Sequence, residues 1–311
     1  METAPLFDDV ADGPNGGAAH WLTTADGLRI RVGHWHVDNA KGTVLLFPGR
    51  TEYVEKYGRA AKELADRGYA TVSIDWRGQG IAARMHNNPA LGHVQQFTDY
   101  QHDVAAVLDH VRALNLPEPL FLLAHSMGGA IGLRAVMEGL PVKAAAFSAP
   151  MWGIGLSASL RPLAWAVSSL SKPLGFSNAI APGQSEQTYV MRAPFDANSL
   201  TSDREMYDYM QSQLAAHPDL ALGGPTLNWL NESLIETRDL AARPAPDLPC
   251  ITFLGSDEDI VETGRIQSRM QNWNNGELVL IDKGRHEVMM ETPSIRSQVF
   301  DQTAAHFDRF H

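Results

Sequence analysis

The sequence predicts an α/β fold, in which a mostly parallel central sheet has helices on both faces and a helical cap insertion precedes the last strands. Between residues 43 and 148, apolar runs of strand length alternate with stretches of helical periodicity, as in sheets with right-handed crossovers. Strand-like runs are missing from 151 to 240 and return at Cys250–Leu254 and Glu277–Ile281. We therefore expect a core at 20–150 and 241–311, a helical cap at 151–240 and a loose N-terminal arm at 1–19.

The composition limits the partners and the compartment. The chain has 311 residues, of which 44% are hydrophobic, and a formal net charge of −11. This charge argues against nucleic acid as a partner and against polybasic attachment to anionic lipid. The single cysteine, Cys250, excludes an intramolecular disulfide, and we recognise no signal peptide or membrane-spanning stretch. We expect a cytoplasmic protein, and transient contact with a membrane surface stays open.

The first two predicted strands, His20–Thr24 and Leu28–Val37, flank a turn at Ala25–Gly27. His34 and His36 share one face of the second strand and could ligate a metal ion. No third ligand is suggested nearby. Exposed strand histidines are the preferred interpretation, and no metal is predicted.

The core elements follow in order. Thr43–Phe47 and Tyr69–Ile74 are apolar on both faces, as buried parallel strands are. A helix is predicted between them at Tyr53–Arg67, another from Thr98 to about Leu114, and a last one at Pro293–Phe307.

A candidate nucleophile follows the next strand. The apolar run Leu120–Ala124 leads to Ser126, and the small-residue run Gly128–Met137 continues as a helix. This order of strand, sharp turn and helix is typical of a nucleophile elbow, here with A-x-S-x-G in place of G-x-S-x-G. Small neighbours are needed because the strand and helix backbones pass closely. The alternative is an ordinary serine at a helix N-terminus.

A nucleophilic serine needs a base, and the base needs an acid to orient it. Acidic residues, Asp257–Asp259, follow one late strand, and His286 follows the last one. In α/β sheets that carry a nucleophile elbow, the catalytic serine, acid and histidine follow one another along the chain in this order. Loops at the carboxyl ends of parallel strands can meet at one site. We therefore predict Ser126 and His286 as a catalytic pair, with the acid among the three carboxylates.

With these motifs, the chain resembles an alpha/beta-hydrolase of the serine-hydrolase branch that contains monoacylglycerol lipases and bacterial lysophospholipases of the L2 type. The resemblance covers roughly residues 20–308 and is weakest in the predicted cap. It rests on Phe47–Glu52 with Lys56 and Tyr57 following, Asp75–Gly80, His125–Gly129, Ser148–Met151, Gly255–Val261 and Gly284–Glu287.

The resemblance implies roles for further residues. The family pattern G-x-x-D-x-hydrophobic-V places its acid fourth, which is Glu258 here, so Glu258 is preferred over Asp257 and Asp259. The oxyanion hole is expected to use the backbone N–H of Met127, which follows the nucleophile, and by resemblance that of Arg50. The side chain of Arg50 could pair with a phosphate head group, although a salt bridge to Glu52 or Glu55 is the preferred interpretation. No cofactor is implied.

The expected reaction is hydrolysis of a small lipid or ester through an acyl-enzyme, and a mono-acyl lipid such as a lysophospholipid or monoacylglycerol is preferred. Candidate substrate-binding residues are Gly49, His125, Met151 and Trp152. Aromatic and methionine side chains of the predicted cap either line an apolar pocket or form the cap's own core.

Three alternatives stay open for the function. They are a general short-chain esterase, a proline-iminopeptidase-like peptidase that would use acids of the cap, and a non-catalytic binding protein of the same fold. The acids that the cap offers are Glu186, Asp196, Asp203 and Glu205. Dehalogenases and epoxide hydrolases are disfavoured, because their nucleophile is an aspartate.

Overall fold

The computed structural model describes residues 1–157 and 159–311. Its strands are β1 (Glu2–Ala4), β2 (Ala18–Thr23), β3 (Arg29–Trp35), β4 (Thr43–Phe47), β5 (Ala70–Asp75), β6 (Leu120–His125), β7 (Ala145–Ser148), β8 (Cys250–Gly255) and β9 (Gly276–Ile281). They form one sheet in the order β1-β2-β3-β5-β4-β6-β7-β8-β9. The strands from β5 to β9 run parallel, and β1, β2 and β3 add an antiparallel edge.

The helices follow the alternation that the sequence predicts in the core. They are α1 (Asp8–Ala11), α2 (Gly58–Asp66), α3 (Tyr100–Ala113), α4 (Ser126–Met137), α5 (Leu160–Ser171), α6 (Tyr189–Arg192), α7 (Arg204–Ala216), α8 (Leu227–Ala242), α9 (Thr263–Gln271) and α10 (Pro293–Phe307). Short 3-10 helices lie at Val54–Tyr57, Phe97–Asp99, Phe195–Ala197, Pro218–Leu220 and Val288–Met290.

Two apolar layers cover the two faces of the sheet. Alternate residues of β4 point to opposite faces, so Leu45 and Phe47 pack with side chains of α3, α4 and α9, whereas Val44 and Leu46 pack with those of α2 and α10. β4, β5 and β6 are buried along their whole length. The predicted α/β fold with helices on both faces is confirmed, and every carboxyl end of a parallel strand points to one edge.

The segment between β7 and β8, residues 149–249, is called the insertion below. It contains α5, α6, α7 and α8, and α8 continues to Ala242. Side chains of α7 form a separate apolar cluster that includes Met206, Tyr207 and Met210. The division into a core and a cap at 151–240 stays a prediction.

The prediction of a loose arm at 1–19 is wrong. β1 pairs with β2, and the backbone N–H of Phe7 donates to Glu55 Oε1 over 3.1 Å. The hydroxyl of Tyr209 donates to Ala11 O over 2.6 Å. These partners are distant in the sequence, so the local composition does not reveal them.

The predicted helix Tyr53–Arg67 is divided in two. A 3-10 helix at Val54–Tyr57 precedes α2, because the backbone N–H of Val54 donates to Asp75 Oδ1 at the end of β5. The loop is thereby fastened to the sheet before the α-helix begins.

Three histidines meet on the face of β2 and β3 that α3 covers. His34 is half-buried beside His20 and the buried His110, whereas His36 is exposed. The prediction of an exposed strand histidine is therefore correct for His36 and wrong for His34. His34 has two histidine neighbours that could bind a ligand together with it. Burial, with the neighbouring histidines adding to it, lowers the pKa of His34 and of His110 to about 4. The two rings are consequently uncharged at neutral pH.

Candidate active site

The turn between β6 and α4 holds the side chain of Ser126 at the edge of the sheet where the parallel strands end, which is called the catalytic edge below. Ser126 has a φ of +49°, in the left-handed region that non-glycine residues rarely adopt. A Cβ atom on Gly128 would lie 2.2 Å from Phe47 O, and one on Gly129 would lie 2.5 Å from Pro150 Cβ. The small residues are therefore needed where the sequence pattern places them.

Three side chains from three loops form one chain of hydrogen bonds. His286 Nε2 lies 2.9 Å from Ser126 Oγ, and His286 Nδ1 lies 2.7 Å from Glu258 Oε2. Both His286 and the carboxylate of Glu258 are buried. In this arrangement His286 Nδ1–H donates to Glu258, which leaves the Nε2 lone pair free to accept the proton of Ser126.

Of the three candidate acids, only Glu258 contacts His286. Asp257 and Asp259 are exposed. Burial opposes ionisation of Glu258, but His286 and the backbone N–H groups of Ile260 and Val261 outweigh it and lower its pKa. Those two N–H groups donate to Glu258 Oε1 over 2.6 and 3.1 Å. The second oxygen of Glu258 is thereby directed at the imidazole.

Two backbone N–H groups near Ser126 are candidates for binding an oxyanion. In the loop after β4, the N–H of Gly49 donates to Glu52 and that of Thr51 donates to Gln79. Among the described residues, neither Arg50 N–H nor Met127 N–H has an acceptor. The loop therefore engages the N–H groups on either side of Arg50 and leaves its own N–H available.

A buried ionic cluster lies beneath the histidine loop, and the sequence analysis missed it. Lys56 Nζ lies 2.6 Å from both Glu52 Oε1 and Glu287 Oε1. Burial opposes every charge here, yet Lys56 and His125 together hold the pKa of Glu287 well below its ordinary value, and the two glutamates raise the pKa of Lys56. Glu52 also accepts a hydrogen bond from Tyr57. The adjacent motifs contain these residues, but no local pattern predicts that they meet.

The prediction that His125 and Gly49 bind substrate is wrong. His125 is fully buried, its Nδ1–H donates to Ser148 O over 3.0 Å, and its Nε2 faces Glu287 Oε2 at 3.3 Å. Its ring packs on that of His286, with centroids 4.8 Å apart. Gly49 binds Glu52 of the same cluster. Both residues contact the ionic cluster, which joins the loop of Arg50 to the loop of His286. They therefore stabilise the site without lining the cavity.

Trp152 is also wrongly predicted to bind substrate. Its ring is buried against Phe147 and Trp273, and its Nε1–H donates to Gly129 O over 3.1 Å. Its side chain is held against the elbow helix by that hydrogen bond and lies outside the lining of the cavity. Met151, in contrast, lines the cavity above Ser126.

A cavity of about 640 Å³ opens over Ser126 and His286. Its walls are mainly apolar and come largely from the insertion, including Leu163, Val167, Met210, Leu214, Leu227 and Leu230. Of the aromatic and methionine residues singled out in the sequence, Tyr189, Met210 and Trp229 line it. Leu160, Leu163 and Val167 recur at helical spacing along α5, which is the signal that sequence analysis could have used.

Arg50 does not form the predicted salt bridge. Glu52 pairs with Lys56, and Glu55 pairs with Arg31. Arg50 Nη2 instead donates to Gly223 O over 2.7 Å, and the guanidinium lies over the ring of Trp229. Burial lowers the pKa of Arg50 to about 10, so it is still charged at neutral pH. No carboxylate of the described residues pairs with this cation, which faces the cavity.

A parallel sheet with an elbow serine and a Ser–His–Glu chain of hydrogen bonds defines the class of α/β-hydrolases. The chain matches the family model described as "Serine aminopeptidase, S33" over residues 38–293, and it belongs to this family. It is 30% identical to lysophospholipase L2 of Escherichia coli K12, covering 93% of this chain and 86% of that protein. It is 26% identical to a probable lysophospholipase L2 of Haemophilus influenzae, with 89% of this chain and 88% of that protein covered.

The solved structures agree on the fold. The structure of a soluble variant of monoglyceride lipase from Saccharomyces cerevisiae, in complex with a substrate analog, has a TM-score of 0.72 and 21% identity and covers 93% of this chain and 94% of that one. Within the part of the chain that the structure describes, no helix is both long and apolar enough to cross a membrane.

Proposed function

We propose that the protein is a serine carboxylic ester hydrolase that acts on mono-acyl lipids, with Ser126 as nucleophile, His286 as base and Glu258 as the acid that orients it. The observation that carries the proposal is the Ser126–His286–Glu258 chain of hydrogen bonds at the base of an apolar cavity. Relatives with the names lysophospholipase and monoglyceride lipase support the substrate class.

In the proposed reaction, Ser126 Oγ attacks the ester carbonyl while His286 Nε2 takes its proton. The carbonyl oxygen becomes an oxyanion held by the N–H groups of Met127 and Arg50. Collapse breaks the bond to the alcohol, which leaves with the proton from His286. Water then attacks the acyl-enzyme by the same steps, releasing the fatty acid and regenerating Ser126.

The apolar walls and the size of the cavity suit a single acyl chain. We propose that residues 151–240 act as a cap that supplies these walls, since α5, α7 and α8 provide much of the lining. The buried Cys250 fits the reducing, cytoplasmic compartment that we expect.

The test is a panel of substrates at matched acyl length: lysophosphatidylcholine, monoacylglycerol, a p-nitrophenyl ester and a prolyl amide. We expect turnover of the two lipid esters at rates well above that of the amide. Turnover of short p-nitrophenyl esters alone would indicate a general esterase. Turnover of the prolyl amide alone would favour a peptidase, which the family description also names.

One observation weighs against the peptidase. Among the described residues that line the cavity, none is one of the four insertion acids considered for holding a free amino terminus. Glu205 pairs with Arg59, and Asp203 caps α7. Glu205 and Asp203 therefore have structural partners outside the cavity.

We further propose that Arg50 contacts the phosphate of a lysophospholipid. Arg50→Gln is expected to lower kcat/KM for lysophosphatidylcholine by roughly 10- to 100-fold, because a hydrogen bond to a charged group contributes about 1.5–3 kcal/mol. The same variant should change kcat/KM for monoacylglycerol less than about 3-fold.

The matched control is Arg161→Gln, which removes an arginine that pairs with Glu262 outside the lining of the cavity. It should leave the ratio of the two activities unchanged. An equal loss on both esters in Arg50→Gln would mean that Arg50 does not contact the head group.

The insertion also carries an apolar surface suited to transient contact with a membrane. Leu163, Leu170 and Leu174 are each more than half exposed, and Leu163 also lines the cavity. Replacing Leu170 and Leu174 with serine is expected to weaken binding to lipid vesicles about 10-fold, since this needs a loss of only about 1.4 kcal/mol of apolar burial. Vesicle co-sedimentation measures the effect.

The control for the vesicle experiment is Leu280→Ser. Leu280 is equally exposed but lies on β9, at the edge of the sheet. Turnover of a soluble short-chain ester should be unchanged in both variants. If Leu280→Ser weakens vesicle binding as strongly as the double replacement, the surface on the insertion has no special role.

A further inference from the structure

A second cluster of chemically active side chains lies away from the catalytic edge. His20 on β2 and His34 on β3 point to the same face of the sheet, because His20 pairs with Val32 and His34 stands two residues further along β3. His110, near the C-terminal end of α3, approaches from above. The ring of His20 lies 5.4 Å from that of His34 and 5.0 Å from that of His110, between centroids.

The ring nitrogens of this cluster converge without partners. Each of the three histidines offers one ring nitrogen, and these nitrogens lie within 4.8 Å of one another. Nδ1 of His20, Nδ1 of His34 and Nε2 of His110 are buried and have no hydrogen-bond partner among the described residues. A buried polar atom without a partner costs about 1–3 kcal/mol. Three adjacent imidazoles, each with a buried nitrogen of this kind, form a donor set that a bound ligand would satisfy.

The donor set selects the class of ligand. Neutral imidazole is a good ligand for Zn²⁺ and neighbouring transition metals, and it is a poor one for Mg²⁺ or Ca²⁺. Zn–N bonds of about 2.0–2.1 Å place tetrahedral ligand atoms about 3.4 Å apart. Small side-chain rotations would bring the three ring nitrogens, now within 4.8 Å of one another, to that separation. His20 and His34 are half-buried, which leaves a water molecule access to the fourth position.

We propose that His20, His34 and His110 form a binding site for a divalent transition metal ion, Zn²⁺ in the first instance. His34 lies three strands and His20 four strands from β6, which carries Ser126 at its end. At about 4.8 Å per strand, these separations are roughly 14 and 19 Å. The ion would therefore take no part in ester hydrolysis and would join the antiparallel edge of the sheet to α3.

The experiment is equilibrium dialysis of the full chain against ZnCl2 at pH 7.5, after treatment with a chelator. We expect one tightly bound Zn²⁺ in the unaltered protein. His34→Gln should bind it at least about 100-fold more weakly, since even residues behind a ligand contribute 10- to 100-fold. The matched control is His36→Gln, which removes an exposed histidine two residues further along the chain and should bind Zn²⁺ normally.

Thermal unfolding gives an independent measurement. Zn²⁺ at about 100 times its Kd should raise the Tm of the unaltered protein and of His36→Gln by roughly 5 °C. It should not raise that of His20→Gln or His34→Gln, which replace half-buried residues and so spare the core around His110. Equal Zn²⁺ affinity in His34→Gln and the unaltered protein, or no binding at millimolar Zn²⁺, would overturn the proposal.

Discussion

Replacing Ser126 with alanine is expected to lower kcat for a p-nitrophenyl ester by about 10⁶-fold, which is the loss seen when a serine hydrolase loses its nucleophile. Without Oγ no acyl-enzyme forms, and His286 has no proton to accept. Alanine removes one oxygen from a turn whose backbone is held by β6 and α4, so the fold should persist. Residual hydrolysis would come from the oxyanion-binding N–H groups alone.

A matched control is Ser199→Ala, because Ser199 also lines the cavity but its hydroxyl donates to Asp259. This variant should keep kcat within about 3-fold of normal. A fluorophosphonate probe should label the unaltered protein and Ser199→Ala, with the adduct on Ser126, and should not label Ser126→Ala. Substantial activity in Ser126→Ala with an intact fold would exclude Ser126 as the nucleophile.

The core of the fold was predictable because its signals are local. Thr43–Phe47 and Pro293–Phe307 have the predicted bounds, and the other core strands differ by one or two residues. Apolar runs that are buried on both faces, separated by helical periodicity, leave few alternatives to a parallel sheet. The positions of Ser126 and His286 follow from the same signals, because each residue lies after a strand whose carboxyl end is at one edge. Those signals left the acid open among three neighbouring carboxylates, and Glu258 was chosen from them by the family resemblance.

What the sequence could not reveal depends on contacts between distant segments. Arg50 turns toward Gly223 and Trp229 of the insertion instead of its neighbours Glu52 and Glu55, since Lys56 and Arg31 already neutralise those glutamates. The histidine cluster needs His110 of α3 to lie over β2 and β3, and spacing within one strand cannot show this.

The lowered pKa of Glu258 makes the stability of the fold depend on pH. The pKa of Glu258 is lowered, so its contribution to stability is present above its ordinary pKa and is lost as pH falls through the lower, folded value. Glu258 therefore stays ionised through neutral and mildly acidic pH.

Glu258→Gln is expected to lower kcat by about 10⁴-fold, because it imposes the wrong tautomer on His286. The N–H groups of Ile260 and Val261 donate to Glu258 Oε1. In the variant, the amide oxygen must take that place, so the amide NH2 faces His286 Nδ1. Nδ1 then has to accept a hydrogen bond, the proton moves to Nε2, and His286 can no longer accept the proton of Ser126.

The matched controls are Asp257→Asn and Asp259→Asn, which change the exposed carboxylates on either side and should keep kcat within about 3-fold. Steady-state kinetics of all three variants at neutral pH measures the difference, and Glu258→Asp should recover part of the activity because it restores a carboxylate. If Glu258→Gln were nearly as active as the unaltered protein while Asp257→Asn or Asp259→Asn lost its turnover, the acid would be one of the neighbours. The hydrogen bond of 2.7 Å between Glu258 and His286, which neither neighbour makes, is the physical reason to expect the opposite.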